Sequence, residues 1–386
     1  MLKKAKEMGL YVIATNPAPK ASGFKYANEK FVIDPRDLEK LVKLVEEKKV
    51  QAVVSDNCDY ALFACAYLGA LFNLPSTSLE AAQLTTNKYN MRERLSHFNI
   101  LQPKFILCKT EEEVESAAHK IGLPVVIKPA DNRGSFGVKA AFNKKDLRSY
   151  FLHALRNTHC RYVLVEKYIE GVNLTVDGFC FSDGHLCLGL ASKKILMTKE
   201  NKPVTQEVIY PAEIKPEFVR RVIENNQKVV NALNLKFGAT HAEYQLTKDG
   251  VPYLLEIANR GGGVMTSASI IPSISGVNMQ ELLLRGALGE MLKKPKGFDV
   301  TRNKSAILHF FIFNKRGKVK KISGVANVRK RKDVLLLFLM VKVGDVVGEI
   351  LSGAHRHGFC ILVGNNREDV RKKAKEIVSK IGLQVI

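Results

Sequence analysis

Residues 242–263 read AEYQLTKDGVPYLLEIANRGGG, and this stretch decides how the middle of the chain folds. Asp249 and Gly250 separate two apolar segments, and Asp-Gly is a strong signal for a β-hairpin with a two-residue type I′ turn. Counting outward from that turn places Glu243 opposite Glu256 in a non-hydrogen-bonded pair, where the two Cα atoms lie roughly 4.5 Å apart. The sequence therefore predicts a hairpin that carries two carboxylates on one face.

Two carboxylates on one face of a hairpin are an electrostatically unfavourable arrangement. Directly opposed carboxylates repel each other unless one is protonated or neutralised. Oxygen-rich sites with two carboxylates suit Mg²⁺ bound together with phosphates, so we interpret Glu243 and Glu256 as metal ligands. A solvated pair on an exposed face is the alternative. The following residues fit a binding site better than a Gly-rich surface turn, because Asn259 offers an oxygen, Arg260 a fork for an anion, and Gly261–Gly263 close backbone approach.

A second motif, VVIKPADNRGSFGV, occupies residues 125–138. Lys128 lies at the end of an apolar strand and is followed by a loop of small residues. Small residues let backbone amides approach phosphate oxygens. Arg133 adds a possible phosphate fork. The order differs from a P-loop, because the lysine precedes the glycines. We expect a phosphate-binding loop, with a plain turn as the alternative.

The third motif is RYVLVEKYIEG at residues 161–171. The polar residues Glu166 and Lys167 interrupt an apolar strand before Gly171. A strand of this kind can present backbone groups and one carboxylate to a purine edge. An ordinary half-exposed strand is the alternative.

Residues 1–85 alternate helical and strand patterns, as in a parallel α/β sheet. Asp34-Pro35 predicts an N-cap and first turn for a helix over 36–48. A strand over Val50–Val54 and a helix from residue 58 are expected to follow.

The chain opens with a helical pattern over Met1–Met8 before its first strand pattern, Leu10–Thr15. A doubly wound domain normally begins with a central strand and a glycine turn. We therefore expect the natural protein to begin about a dozen residues or more upstream, with an apolar strand and a Gly-rich turn.

Local signals define further elements along the chain. Thr110 and Glu113 form a capping box for a helix that ends at Gly122. The remaining expectations are a strand over Val125–Lys128, three strands within 162–192, a helix over Lys215–Leu233, a hairpin over 238–258, and a mixed α/β tail from about 298 that ends in a helix over Asn366–Ile381.

Composition narrows the function classes. At 386 residues the chain should form two or three domains. No run approaches eighteen consecutive apolar residues, and seven cysteines occur without a C-x-x-C pair, which indicates a cytoplasmic protein without a membrane span. The net charge of +22 suits an anionic partner. Because the dense basic segment Lys315–Lys332 alternates with apolar residues, a strand-rich surface is favoured over a nucleic-acid patch.

Taken in order, four features resemble the ATP-grasp superfamily. They are Lys88 in TNKYNMRERL, Lys128 with its Gly loop, the EKYIEG segment, and the Glu243/Glu256 hairpin ending in Arg260. The similarity covers about residues 1–300. It is greatest to the branch that contains the carbamoyl-phosphate synthase large subunit, biotin carboxylase and the L-amino-acid ligases.

The resemblance implies an α/β and α+β architecture, the ATP-grasp fold. An N-terminal parallel α/β (pre-ATP-grasp) domain would span 1–85, with its first strand missing. The ATP-grasp domain would span 86–297 in two lobes, 86–160 and 161–297. A C-terminal mixed α/β domain would span 298–386.

The same resemblance implies roles for individual residues. The implied ATP-binding residues are Lys88 and Lys128 at the phosphates, Arg133, Gly134, Ser135, Phe136 and Gly137 in a loop over the β- and γ-phosphates, Glu166 at the adenine amino group, the backbone of Lys167 and Ile169 at the adenine ring, and Asn173 near the ribose. The implied metal ligands are Glu243, Glu256 and Asn259. Lys128 and Arg260 would be catalytic, and Arg260 would hold the substrate carboxylate or the acyl phosphate. This chain departs from many relatives at Asn173, where they have a carboxylate, and at Ala258, where they have Asn.

The implied activity uses ATP with Mg²⁺, or Mn²⁺, to convert a carboxylate into an acyl phosphate that an amine attacks. The partners would be small carboxylates and amines, without membrane or nucleic acid, and a homodimer is one expectation for the assembly. Two alternatives stay open. One is a bicarbonate-activating N-carboxylase similar to biotin carboxylase, and the other is a nucleotide-binding scaffold without turnover.

Overall fold

The computed structural model describes residues 1–132, 136–198, 203–302, 304–313 and 315–386. In these residues the α-helices are α1 Leu2–Glu7, α2 Leu38–Lys48, α3 Asp59–Phe72, α4 Leu79–Thr86, α5 Lys88–Ser96, α6 Glu111–Ile121, α7 Leu147–Leu155, α8 Pro216–Ala232, α9 Ile271–Ser275, α10 Met279–Ala287, α11 Val325–Arg329 and α12 Arg367–Lys380. Among the described residues, every helix is too short or too polar to span a bilayer.

The strands belong to four sheets. They are β1 Ile13–Thr15, β2 Glu29–Phe31, β3 Phe105–Cys108, β4 Val125–Pro129, β5 Lys139–Ala141, β6 Val163–Lys167, β7 Val172–Phe181, β8 Gly184–Met197, β9 Pro203–Tyr210, β10 Gly238–Leu246, β11 Pro252–Ala258, β12 Ser305–Phe311, β13 Gly317–Ser323, β14 Val334–Leu339, β15 Val346–Val347, β16 Gly358–Gly364 and β17 Gly382–Val385.

The largest sheet has eight antiparallel strands in the order β11-β10-β7-β8-β9-β12-β16-β14. One of its faces packs against α8, whose buried side chains Val222, Val229 and Val230 join the core formed with β7 and β10. The sheet continues past residue 298, because β12 pairs directly with β9. The three strands expected within 162–192 and the helix expected over Lys215–Leu233 are confirmed.

A second sheet, in the order β3-β6-β4-β5, forms a separate layer backed by α6 and α7. Val114 and Phe151 from the helices pack on Ile127 and Val165 from the strands. The capping box that begins α6 is confirmed, since Thr110 accepts from the Glu113 N–H and Glu113 accepts in return. This layer, which we call the lid sheet, carries Lys128 and Glu166 on adjacent strands.

The N-terminal part contains less sheet than the sequence pattern predicts. β1 is limited to Ile13–Thr15 and pairs in parallel with β2 alone. The strand expected over Val50–Val54 is wrong, because residues 50–54 belong to no strand. Val50 and Val53 instead pack against α2 and α3, so their apolar character serves helix packing.

The start of α2 also differs from expectation. Asp34 does not cap the helix, because its carboxylate binds the backbone N–H and guanidinium of Arg36. Asp37 takes the N-cap position and accepts a hydrogen bond from the Lys40 N–H at 3.2 Å. The helix therefore begins at Leu38.

The C-terminal part adds β12, β16 and β14 to the large sheet and forms a small sheet in the order β15-β13-β17. Helix α12 covers β12 and β16 through Val370, Ala374 and Ile377, which are buried. The helix expected over Asn366–Ile381 is confirmed as Arg367–Lys380, with Asn366 as its N-cap. The expectation that the tail ends in this helix is wrong, because β17 follows it and pairs with β13.

Candidate active site

The hairpin β10–β11 brings Glu243 and Glu256 opposite each other, as predicted. The route to this register differs from the prediction. Thr247 pairs with Val251 around a three-residue loop, Lys248-Asp249-Gly250, instead of a two-residue turn. Gly250 has a φ of 76° and its position leaves no room for a Cβ beside the Phe218 ring, so the loop requires glycine there.

A β-bulge restores the predicted pairing. The three-residue loop shifts the register by one, so that Tyr244 pairs with Leu254. Leu255 is the extra residue of β11, because the next pair is Glu243 with Glu256. The carbonyl of Leu255 accepts a hydrogen bond from Arg92 at 2.6 Å, which satisfies the group that the bulge leaves outside the ladder.

Each of the two opposed carboxylates has a lysine partner. Lys193 Nζ lies 2.6 Å from Glu243 Oε1, and Lys88 Nζ lies 3.2 Å from Glu256 Oε2. Burial opposes ionisation of Glu243, but Lys193 and His241 hold its pKa below the usual range. Each of the two opposed carboxylates is therefore neutralised by a lysine, which removes the repulsion between them that the sequence led us to expect.

His241 lies beside Glu243, and Asp177 lies beside His241; neither residue was identified from the sequence. His241 Nδ1 is 2.7 Å from Asp177 Oδ1, and Tyr210 donates to the other oxygen of Asp177 at 2.6 Å. Burial lowers the pKa of His241, but Asp177 and Glu243 outweigh it and raise the pKa to about 9. At neutral pH a protonated imidazole thus lies 3.7 Å from Glu243 Oε1. The period-two spacing of His241 and Glu243 on β10 is the signal that could have indicated a shared face.

On the lid sheet, Lys128 and Glu166 form a buried ion pair at 2.7 Å. Arg92 from α5 completes the cluster, with Nε 3.0 Å from Glu166 Oε1, and its side chain is fully buried. Burial lowers the pKa of Lys128 to about 8, although Glu166 acts in the opposite direction. Arg92 was missed because nothing in the sequence pattern of α5 marks it as a partner of a strand 74 residues away.

This cluster changes the role of Glu166. The sequence resemblance assigned its carboxylate to an adenine amino group, but the carboxylate is 3% exposed and held by two cations. The Lys167 ammonium donates to the carbonyls of Gly122 and Leu123, at 2.9 and 3.2 Å. The Lys167 N–H binds the Lys104 carbonyl. Ile169 is half-buried in the connection that follows.

Lys88 links the large sheet to the loop after β4. Its N–H donates to the Ala130 carbonyl at 2.8 Å, and its ammonium donates to the Asn132 carbonyl as well as pairing with Glu256. Arg133, Gly134 and Ser135 lie outside the described residues. Phe136 is 55% exposed at the end of this loop. Asn173 lies on β7, paired with Lys193 of β8 and Gln245 of β10.

Arg260 and Asn259 follow the hairpin and have different surroundings. Arg260 binds both carboxylate oxygens of Asp59, with Nε at 2.7 Å and Nη2 at 3.1 Å. Asn259 is 3% exposed and donates to the carbonyls of Phe237 and Ala239, while its own oxygen accepts from Thr77. The expectation that Asn259 is a metal ligand is therefore corrected, because these bonds hold its side chain in the interior.

Some of these groups line a cavity of about 580 Å³. Lys88, Glu256 and Arg260 line it together with residues of the N-terminal part and with Asp131, Asn132 and His159, which lie between strands of the lid sheet. Glu243 lies opposite Glu256, but Glu243 and the Lys128–Glu166 pair do not line the cavity. The ammonium of Lys88 and the guanidinium of Arg260 at the cavity are groups that can bind an anion.

Two regions of the chain match models of known protein families. Residues 121–268 match the model of the ATP-grasp domain family. Residues 309–385 match the model of L-amino acid ligase C-terminal domain 2.

Two relatives illustrate the sequence similarity. The carbamoyl phosphate synthase large chain, C-terminal section, of Methanocaldococcus jannaschii is 25% identical over 309 residues, which are 77% of this chain and 48% of that protein. The carbamoyl phosphate synthase large chain of Caldanaerobacter subterraneus subsp. tengcongensis is 26% identical over 294 residues, which are 75% of this chain and 27% of that protein. The chain thus spans about half the length, or less, of these two relatives.

Solved structures share the fold. L-amino acid ligase from Bacillus licheniformis has a TM-score of 0.85 at 21% identity, covering 100% of this chain and 95% of that one. A biotin carboxylase–β-γ-ATP complex from Campylobacter jejuni has a TM-score of 0.76 at 18% identity, covering 99% and 88%. The ATP-grasp fold expected from the sequence is confirmed.

Proposed function

We propose that this chain, which carries an ATP-grasp domain, is an ATP-dependent carbon–nitrogen ligase that converts a carboxylate into an acyl phosphate for attack by an amine. One observation carries the proposal. Glu243 and Glu256 lie opposite each other with Lys88 beside them, and Glu256, Lys88 and Arg260 line the same cavity. These groups together can hold a nucleotide triphosphate next to an acid.

The donor set fits a magnesium ion that binds together with ATP. Among the described residues, no group of three or more His, Cys, Asp or Glu side chains could hold a metal ion by itself. Mg²⁺ is usually bound by one or two carboxylates plus substrate phosphates, which matches Glu243 and Glu256. When bound, the ion would neutralise charge on the β- and γ-phosphates.

The residues of the chain have separate tasks in this reaction. Lys128 and Lys88 supply positive charge where phosphate oxygens develop negative charge. Arg260, oriented by Asp59, offers its guanidinium to the carboxylate that attacks the γ-phosphate. Because the Lys167 N–H is bonded to the Lys104 carbonyl, our proposed backbone contacts to adenine are the Lys167 carbonyl and the backbone of Ile169. Asn173 remains our proposed ribose contact.

A screen for phosphate release tests the proposal. MgATP would be offered with pairs of small carboxylates and amines, including labelled bicarbonate. We expect release that requires both an acid and an amine. Label from bicarbonate in the product would favour the N-carboxylase alternative, which the shared fold with biotin carboxylase supports. An absence of ADP with every pair would favour a nucleotide-binding scaffold.

Replacing Asn259 with alanine tests whether this residue is structural. The free energy of unfolding should fall by about 1–3 kcal/mol, because two buried carbonyls lose their donor. The rise in thermal midpoint caused by MgATP should stay as in the wild type. Urea unfolding and thermal scans measure both, with the exposed Asn143→Ala as control. If MgATP no longer raised the thermal midpoint while the free energy of unfolding stayed unchanged, Asn259 would be a metal ligand.

ATP affinity should depend on pH through Lys128. Its pKa is lowered to about 8, so the ammonium is charged below this pH and neutral above it. We expect the Kd for ATP to rise above pH 8 by up to about tenfold per pH unit, the limit for losing one proton. The same titration changes the free energy of unfolding in the favourable direction. The unfolded lysine keeps its proton to a higher pH than the folded one, so the free energy of unfolding rises as the pH rises above 8.

Calorimetric titration of ATP between pH 6.5 and 9.5 measures this dependence. Lys128→Arg serves as the comparison, since arginine stays charged over the whole interval. A wild-type Kd that is constant to pH 9.5 would show that Lys128 does not contribute its charge to ATP binding.

A further inference from the structure

Four parts of the chain meet at the cavity of about 580 Å³, a size usual for a small-molecule site. The lining comes from the start of α2 and α3, from the junction of α4 and α5, from the loop after β4 with His159, and from the end of β11. β11 is an edge strand of the large sheet, and residues of α3, α4 and α5 line the cavity beside it.

One wall of the cavity is apolar. Phe63 of α3, Leu84 of α4 and Met91 of α5 line it, and Leu38 extends it toward α2. Phe63 packs against the buried side chains of Leu62, Ala66 and Ala82, while Met91 and Leu84 belong to the core beneath the large sheet. Packing thus fixes this wall in place, so it presents a preformed apolar surface to a ligand.

The charged side chains that line the cavity already have partners. Arg260 binds Asp59, and Lys88 pairs with Glu256. Arg36 binds Asp34 at 2.8 Å and lies over the Tyr60 ring at 5.1 Å.

Asp131, also in the lining, accepts from the N–H groups of His159 and Cys160 at 2.9 and 2.8 Å. Arg260 has five N–H donors, of which Asp59 and the Gly261 carbonyl take three, so its guanidinium can still bind a ligand carboxylate. A charge on the ligand side chain would instead lie against the apolar wall beside ionic groups that are already matched, and unmatched burial of charge is costly.

From this arrangement we propose that the cavity binds the acid substrate and selects acids whose side chain is apolar and uncharged. The carboxylate lies at Arg260, and the side chain lies against Phe63, Leu84 and Met91. Asp59 is a positioning residue, because both its oxygens hold the guanidinium fork. This inference rests on the proposed function and adds the chemical class of the acid.

A panel of acids tests the selection. Leucine and phenylalanine would be compared with glutamate and lysine, using MgATP and a fixed concentration of hydroxylamine as the amine. Hydroxylamine nitrogen attacks the acyl carbon, phosphate leaves, and the hydroxamate is measured. We expect kcat/KM at least about tenfold higher for the apolar acids, the scale on which apolar pockets discriminate by a methylene or more.

Substitutions of the apolar wall residues test whether this wall causes the selection among acids. Phe63→Ala should raise KM for the apolar acids at least about tenfold while KM for ATP stays unchanged. Leu84→Ala provides a second variant with a smaller loss of volume. Phe98→Ala is the matched control, since Phe98 is 50% exposed and does not line the cavity. Asp59→Asn should raise KM for all acids alike, because it acts through Arg260.

Calorimetry with a nonhydrolysable ATP analogue separates this inference from the proposed function. Binding of leucine that Phe63→Ala or Leu84→Ala weakens, without any turnover, would support the cavity and contradict the ligase activity. Turnover with equal kcat/KM for all four acids, or leucine binding unchanged in both folded wall variants, would overturn the apolar selection.

Discussion

Replacing Lys128 with alanine is expected to lower ATP-dependent turnover at least about a hundredfold, the scale on which loss of one preorganised charge acts. Lys128 is the cation of the lid sheet that lies buried against Glu166. Without it, the γ-phosphate loses a fixed positive charge in a site where water screens poorly. Steady-state phosphate release with the best acid and amine pair measures the effect.

The Lys128→Ala variant should still fold. Glu166 keeps its two contacts to Arg92, at 3.0 and 3.5 Å, so its charge is not left without a partner. Lys120→Ala is the matched control, because Lys120 is exposed on α6 of the same lid layer. A folded Lys128→Ala protein with near wild-type turnover would show that this lysine has no part in phosphoryl transfer.

Glu256→Gln and Glu243→Gln should each reduce turnover at least about a hundredfold as well. Glutamine keeps the size of the side chain and removes the charge that a magnesium ion requires. MgATP binds only the folded state and therefore raises the thermal midpoint, and each substitution should shrink that rise. Thermal scans with ATP, with and without Mg²⁺, measure it directly.

The double variant gives the decisive form of this experiment. With both carboxylates replaced, MgATP should stabilise the protein no more than ATP without the metal. Glu217→Gln, exposed on α8, controls each single replacement for the loss of one negative charge. An undiminished magnesium-dependent shift in the double variant would place the metal elsewhere.

Local sequence signals predicted correctly that Glu243 faces Glu256, partly because two deviations from the expected hairpin cancel. The Asp-Gly signal located the turn, but the observed loop has three residues, which shifts the register. The bulge at Leu255 shifts it back, so Glu243 and Glu256 still face each other. Turn chemistry and strand alternation are local properties, and they succeed within a single hairpin or capping box.

The surroundings of these residues could not be predicted in the same way. Arg92 meets Glu166, and Asp59 meets Arg260, across 74 and 201 residues of chain. The apolar residues Val50 and Val53 suit either a strand or a helix-packing surface, and tertiary packing decided in favour of the second. Asn259 shows the same limit, because only the fold reveals that its amide is buried between strands and Thr77.

Oxygen transfer from the acid to phosphate is the most direct test of the ligase mechanism. If a carboxylate oxygen attacks the γ-phosphate and an amine then displaces phosphate from carbon, that oxygen leaves with the phosphate. With an acid labelled by ¹⁸O in its carboxylate, mass spectrometry should find one labelled oxygen in each phosphate released, alongside ADP. Unlabelled phosphate, or AMP with pyrophosphate, would contradict an acyl phosphate formed at this site.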